Sequence, residues 1–66
     1  MTIYVNGKKE EMPKDTTMEQ CIEKLGYEKK KIAVELNEEI LPKSQYESRI
    51  LSEYDTLEIV TFVGGG

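Results

Sequence analysis

The sequence predicts an α+β domain, a mixed sheet with one short helix packed on one face. Three observations carry this. Short β-rich segments with period-2 alternation stand at both ends and in the middle of the chain, a single segment with helical periodicity lies between them, and nothing repeats. Sixty-six residues leave room for one domain. A domain of this size buries only about 60% of the surface its unfolded chain exposes, so its core is small.

The first segment, Thr2-Ile3-Tyr4-Val5, is β-rich, and Asn6-Gly7 suits the positive φ angles of a type I′ turn. Lys8 to Met12 then runs back as its partner, and Pro13 ends the pairing. Thr16, with Glu19 three residues later, predicts a capping box at a helix start. Met18, Cys21, Ile22 and Leu25 follow at i, i+3, i+4 and i+7 as one apolar face, and Gly26 supplies the C-terminal cap. Ile32, Val34 and Leu36 alternate with Ala33 and Glu35, which marks a strand with one buried face that turns at Asn37-Glu38. Ile40 and Leu41 begin its return until Pro42. Lys43 to Ser52 has no clean period, and Ile50-Leu51 is read as a brief edge strand before a turn at Glu53-Tyr54-Asp55. In the last strand Leu57, Ile59 and Thr61 fall on one side and Glu58, Val60 and Phe62 on the other. Gly64-Gly65-Gly66 follow. This order of elements, with the first and last strands side by side at the centre of the sheet, is that of the β-grasp, or ubiquitin-like, fold.

Composition excludes several classes of function. Thirteen acidic against nine basic residues give a net charge of -4, which repels a phosphate backbone, so nucleic acid is not an expected partner. The run Lys29-Lys30-Lys31 reads as a solvated loop between helix and strand. With no histidine, the commonest general base and the commonest metal ligand are both missing, and no metal site is expected. No apolar run approaches the roughly 20 residues that span a bilayer. One cysteine makes no internal disulfide and no signal peptide is evident, so the expected location is cytoplasmic. Cys21, on the apolar helical stripe, reads as a small core hydrophobe and not as a reactive thiol.

The Asn6-Gly7 turn, the segment Ala33-Val34-Glu35-Leu36-Asn37-Glu38-Glu39-Ile40-Leu41-Pro42 and the ending Val60-Thr61-Phe62-Val63-Gly64-Gly65-Gly66, in this order of elements, resemble the sulfur carrier family of thiamine biosynthesis across essentially the whole chain. In that family a glycine often stands between two acidic residues before the last strand. Here Tyr54 lies between Glu53 and Asp55, and a turn requiring φ > 0 would strain it.

The resemblance implies a protein that is acted upon and is not itself an enzyme. Residues 1–63 would form the ubiquitin-like domain and residues 64–66 a flexible tail. An E1-like adenylating enzyme would join the Gly66 carboxylate to AMP from ATP, a persulfide sulfur donor would displace AMP to leave a thiocarboxylate, and thiazole synthase would receive the sulfur. The residues suit that chemistry. A carboxylate is a poor electrophile until it carries a good leaving group, and Gly64 to Gly66 cannot open a helix in the manner of a phosphate-cradling loop, so ATP would be bound by the partner and no cofactor by this chain. Glycines lack Cβ and can thread a narrow channel over roughly 10 Å. Tyr4, Val60 and Phe62, pointing outward on neighbouring first and last strands, would form an apolar docking patch with an acidic rim from Glu58 and Glu35. Three other readings remain open at this point: a carrier for molybdopterin, cysteine or tRNA thiolation; a conjugation tag joined to lysines; and a passive binding module.

Overall fold

Asn6 and Gly7 take φ angles of 51° and 82°, the type I′ geometry that matches strand twist, and so close the hairpin of β1 (Thr2–Val5) and β2 (Lys8–Glu11). A second hairpin repeats the device, with φ of 51° and 70° at Asn37 and Glu38 between β3 (Ile32–Leu36) and β4 (Glu39–Leu41). The computed structural model describes residues 1–62, in which β5 (Thr56–Thr61) completes a five-stranded sheet of order β2-β1-β5-β3-β4. β5 runs parallel to β1 and antiparallel to β3. The first and last strands are thus neighbours, as expected, with β5 at the centre of the sheet.

The helix α1 (Met18–Lys24) lays Met18, Cys21 and Ile22 on one face of this sheet, against Ile3, Val5, Ile32, Val34, Leu36, Leu57 and Ile59. These side chains fall at the spacings of one helical stripe and of alternate strand positions, so burying them removes most of the apolar surface from water while leaving the charged positions outside. Leu25, the fourth member of the stripe, is half-buried against the same core, and Gly26 (φ 86°) closes the helix in a conformation that costs glycine little.

Two expectations are corrected. The capping box is formed by Thr17 and Gln20 and not by Thr16 and Glu19: the Gln20 backbone N–H donates to the Thr17 hydroxyl at 3.1 Å, and the Thr17 N–H donates to the Gln20 side-chain oxygen at 3.0 Å. The Thr16 hydroxyl instead donates to the Pro13 carbonyl at 2.6 Å. Ile50-Leu51 is not a strand. Ile50 makes one isolated bridge to Thr17, while Leu51 is buried and its N–H donates to Thr16. The segment without a clean period contains a 3-10 turn (Lys43–Gln45) that delivers Tyr46, the largest wholly buried side chain, into the core. Tyr54 takes φ 67°, so the turn before β5 does demand the conformation that strains a tyrosine.

Candidate functional site

The centre of the outer sheet face is built by register. Ala33 stands opposite Val60, and Glu35 stands opposite both Glu58 on β5 and Ile40 on β4. Directly opposed residues share a face, so Ile40, Glu35 and Glu58 form one row and Ala33 and Val60 the next. Ile40, Val60 and Phe62 are 76%, 58% and 44% exposed. Three large apolar side chains left in water, on these two rows and just beyond the end of β5, form a patch and not a scatter.

Glu35 and Glu58 are both exposed and directly opposed across two adjacent strands. Like charges in that arrangement destabilise a sheet. Nothing within the described residues offsets them by ion pairing, since the ion pairs present are Lys29 with Glu19 and Lys31 with Glu28. The fold therefore carries a small electrostatic cost in the middle of an apolar surface, an arrangement suited to a partner that brings cations.

Tyr4 is placed elsewhere. It pairs with Thr56, four residues before Val60, about 13 Å along the strand at the usual rise of ~3.3 Å per residue. Its N–H donates to Asp55, next to exposed Tyr54, whose own N–H donates to Thr2. Of the four residues expected to dock a partner, Glu58 and Val60 share the outer face of β5 and Phe62 follows its end, while Tyr4, on β1, stands beside the start of β5. Ile40 joins the patch although the docking set read from the sequence omitted it. A two-residue turn at Asn37-Glu38 fixes Leu36 opposite Glu39 and hence Ile40 opposite Glu35, so this position was legible.

Side chains and backbone fix the course of β5 toward the tail. Asn6 acts as an extension of β1, its Oδ1 accepting from the Ile59 N–H at 2.8 Å and its Nδ2 donating to the Ile59 carbonyl at 3.2 Å. At the start of the strand Asn37 Oδ1 accepts from the Thr56 N–H at 2.9 Å, while Asn37 Nδ2 donates to buried Asp55 at 3.0 Å. At its end the Phe62 N–H donates to the Lys31 carbonyl at 2.8 Å, and the Lys43 ammonium stands 5.4 Å from the Phe62 ring centroid. Gly64, Gly65 and Gly66, the expected reacting tail, lie outside the described residues.

Cys21 belongs to the core, and burial pushes its thiol up to about 11, with Glu10 adding to the effect. A thiol so far from its thiolate is a poor nucleophile. No cluster of metal-ligating side chains occurs among the described residues, and no helix among them is long and apolar enough to cross a membrane.

Comparison with known proteins agrees on the family. The sequence profile of the ThiS family matches residues 2–66. The chain is 40% identical over 65 residues to the sulfur carrier protein ThiS of Bacillus subtilis, covering 97% of this chain and 98% of that protein. It is also 41% identical over its whole length to a thiazole synthase of Paramagnetospirillum magneticum, and 36% to one of Magnetococcus marinus, but spans only 20% of the length of each. The crystal structure of the thiamine biosynthesis protein ThiS from Geobacter metallireducens superposes with a TM-score of 0.84 at 26% identity, each chain covered completely. On these grounds the chain belongs to the ThiS family.

Proposed function

We propose that this protein is the sulfur carrier of thiamine biosynthesis, its Gly66 carboxylate being adenylated by an E1-like enzyme and converted to a thiocarboxylate. The observation that carries the reading is the family match through the glycine tail to residue 66, together with near-complete coverage of the Bacillus subtilis sulfur carrier. The two thiazole synthases that contain a segment similar to this chain support a thiazole synthase as the receiver.

The chemistry divides between the chain and its partners. On the adenylating enzyme the Gly66 carboxylate attacks the α-phosphorus of bound ATP, the α–β phosphoanhydride breaks, pyrophosphate leaves and the acyl adenylate forms. A persulfide sulfur then attacks the activated carbonyl, AMP leaves, and reduction of the resulting acyl disulfide by a thiol releases the thiocarboxylate. The carrier supplies the carboxylate, a tail without Cβ atoms that can enter a channel, and a docking face. That face is the row of Ile40, Glu35 and Glu58 with Val60 and Phe62 beside it, where apolar area excludes water and two unpaired carboxylates select a cationic partner.

The test is the intact mass of the protein isolated from its native host, together with pyrophosphate exchange by the cognate adenylating enzyme. A mass gain of one sulfur in place of one oxygen is expected. One alanine added after Gly66 moves the carboxylate roughly 3.5 Å beyond attack geometry and should abolish exchange. Exchange undiminished by the added residue removes Gly66 from the reaction, and adducts to lysines of other proteins in place of the thiocarboxylate indicate a conjugation tag.

A further inference from the structure

The lysine run that the sequence leaves as a solvated loop does not stand alone in the fold. Lys29, Lys30 and Lys31 form a 3-10 turn, and Lys43 arrives beside them from the turn after β4. Glu28, Lys29, Lys30 and Lys43 line a shallow cleft of about 470 Å³. Four of the nine cations of a chain with net charge -4 are thus gathered in one place. That place is the root of the tail, since Lys31 accepts the Phe62 N–H and Lys43 covers the Phe62 ring.

The four ammonium groups are not equivalent. Lys29 is held by Glu19 at 2.8 Å and Lys31 by Glu28 at 3.3 Å. Lys30 and Lys43 have no carboxylate within ion-pairing distance among the described residues. Two uncommitted cations beside two committed ones make a positive field at the point where β5 leaves the sheet, opposite in sign to the Glu35–Glu58 row on the outer face. A fold gains no stability from crowding like charges there. Phe62 links the two surfaces, since it follows the outer row of β5 while its N–H and its ring are engaged by Lys31 and Lys43.

We propose that the cleft at the root of the tail, with Lys30 and Lys43 as its free cations, is a second docking surface that receives an acidic segment at the mouth of the adenylating enzyme's tail channel. This rests on the carrier reading above. Opposite fields on the outer face and at the tail root fix the orientation in which the tail is presented, and they speed encounter more than they deepen affinity. The cleft contributes no group to the chemistry. Its occupant is a protein segment bearing carboxylates, with the stems of Lys29, Lys30 and Lys43 offering an apolar floor.

The experiment measures association of the full chain with the purified adenylating enzyme, by surface plasmon resonance or stopped flow, at about 50 mM and about 300 mM salt, where screening differs strongly. Lys30→Glu/Lys43→Glu is compared with wild type and with Lys14→Glu, a charge reversal in the loop before α1. The milder Lys30→Gln/Lys43→Gln and circular dichroism guard against misfolding, and pyrophosphate exchange by wild type reports the carrier reading separately. Expected is a fall in association rate on the order of tenfold for the double reversal at low salt, a smaller fall for the glutamines, and convergence at high salt, with Lys14→Glu matching wild type. If wild type supports exchange while the double reversal associates as fast as wild type, the cleft is not a docking surface. A loss that persists undiminished at high salt refutes an acidic occupant. If wild type neither binds nor supports exchange, the carrier reading and this inference fall together.

Discussion

Replacing Asn6 tests whether side chains, and not strand pairing alone, hold the tail-bearing half of β5. Asn6→Gly deletes the two bonds to Ile59 but keeps a residue at ease with φ 51°. Each bond is worth a net ~1 kcal/mol, and the part-buried Ile59 amide is left without its partner, so a loss of about 2 kcal/mol is expected. Asn6→Ala loses the same bonds and adds about 1 kcal/mol, because alanine lacks the short polar side chain that lets asparagine tolerate the left-handed region. Against a total stability of roughly 3–10 kcal/mol for a domain of this length, either change is large. Urea denaturation followed by circular dichroism gives both values from the shift in midpoint at constant slope. Amide exchange at Ile59 should accelerate in both variants. A glycine variant within about 0.5 kcal/mol of wild type would refute the argument, because it would show that the amide does not contribute as a surrogate for strand pairing.

Tyr54 pays a strain cost at φ 67°, so Tyr54→Gly should stabilise by a few tenths to about 1 kcal/mol, whereas Tyr54→Val, β-branched and worse suited to that angle, should destabilise by a similar amount in thermal melts. Folding raises the Cys21 thiol from its ordinary 9.0 to about 11, so the native state holds its proton more tightly. Stability from this source is complete below pH 9 and is lost as pH rises toward 11; Cys21→Ala should remove that decline relative to wild type in urea titrations, and a disulfide reagent at pH 8 should label native Cys21 no faster than global unfolding permits. Phe62→Asp should leave the core intact, since the ring is 44% exposed, yet weaken the complex with the adenylating enzyme by about 2 kcal/mol or more through loss of an aromatic anchor and burial of a carboxylate. Calorimetry showing unchanged affinity would take Phe62 out of the docking face.

Much of this fold is legible because period and turn chemistry act locally. Ile32, Val34 and Leu36, Leu57 and Ile59, and Met18, Cys21 and Ile22 all bury as their spacing requires, and both Asn-initiated turns take positive φ. The helix cap is misread by one residue for an equally local reason. Thr16 with Glu19 and Thr17 with Gln20 both satisfy the same three-residue spacing. The choice is made by partners distant in sequence or outside the pattern, the Pro13 carbonyl that takes the Thr16 hydroxyl and the bridge from Ile50 to Thr17. Tyr46 is hidden in the same way, in a segment whose burial depends on where β4 leaves it.

The candidate site shows where such reading stops and what replaces it. Antiparallel neighbours joined by a two-residue turn have their register set by the turn, so the row Ile40, Glu35 follows from the sequence. Parallel neighbours have no such turn. β1 and β5 are separated by most of the chain, and no local signal distinguishes Tyr4 opposite Thr56 from Tyr4 opposite Val60. The same separation brings Lys43 to the lysine run and both to Phe62. The surface around Phe62 is thus assembled almost entirely from contacts between residues far apart in sequence.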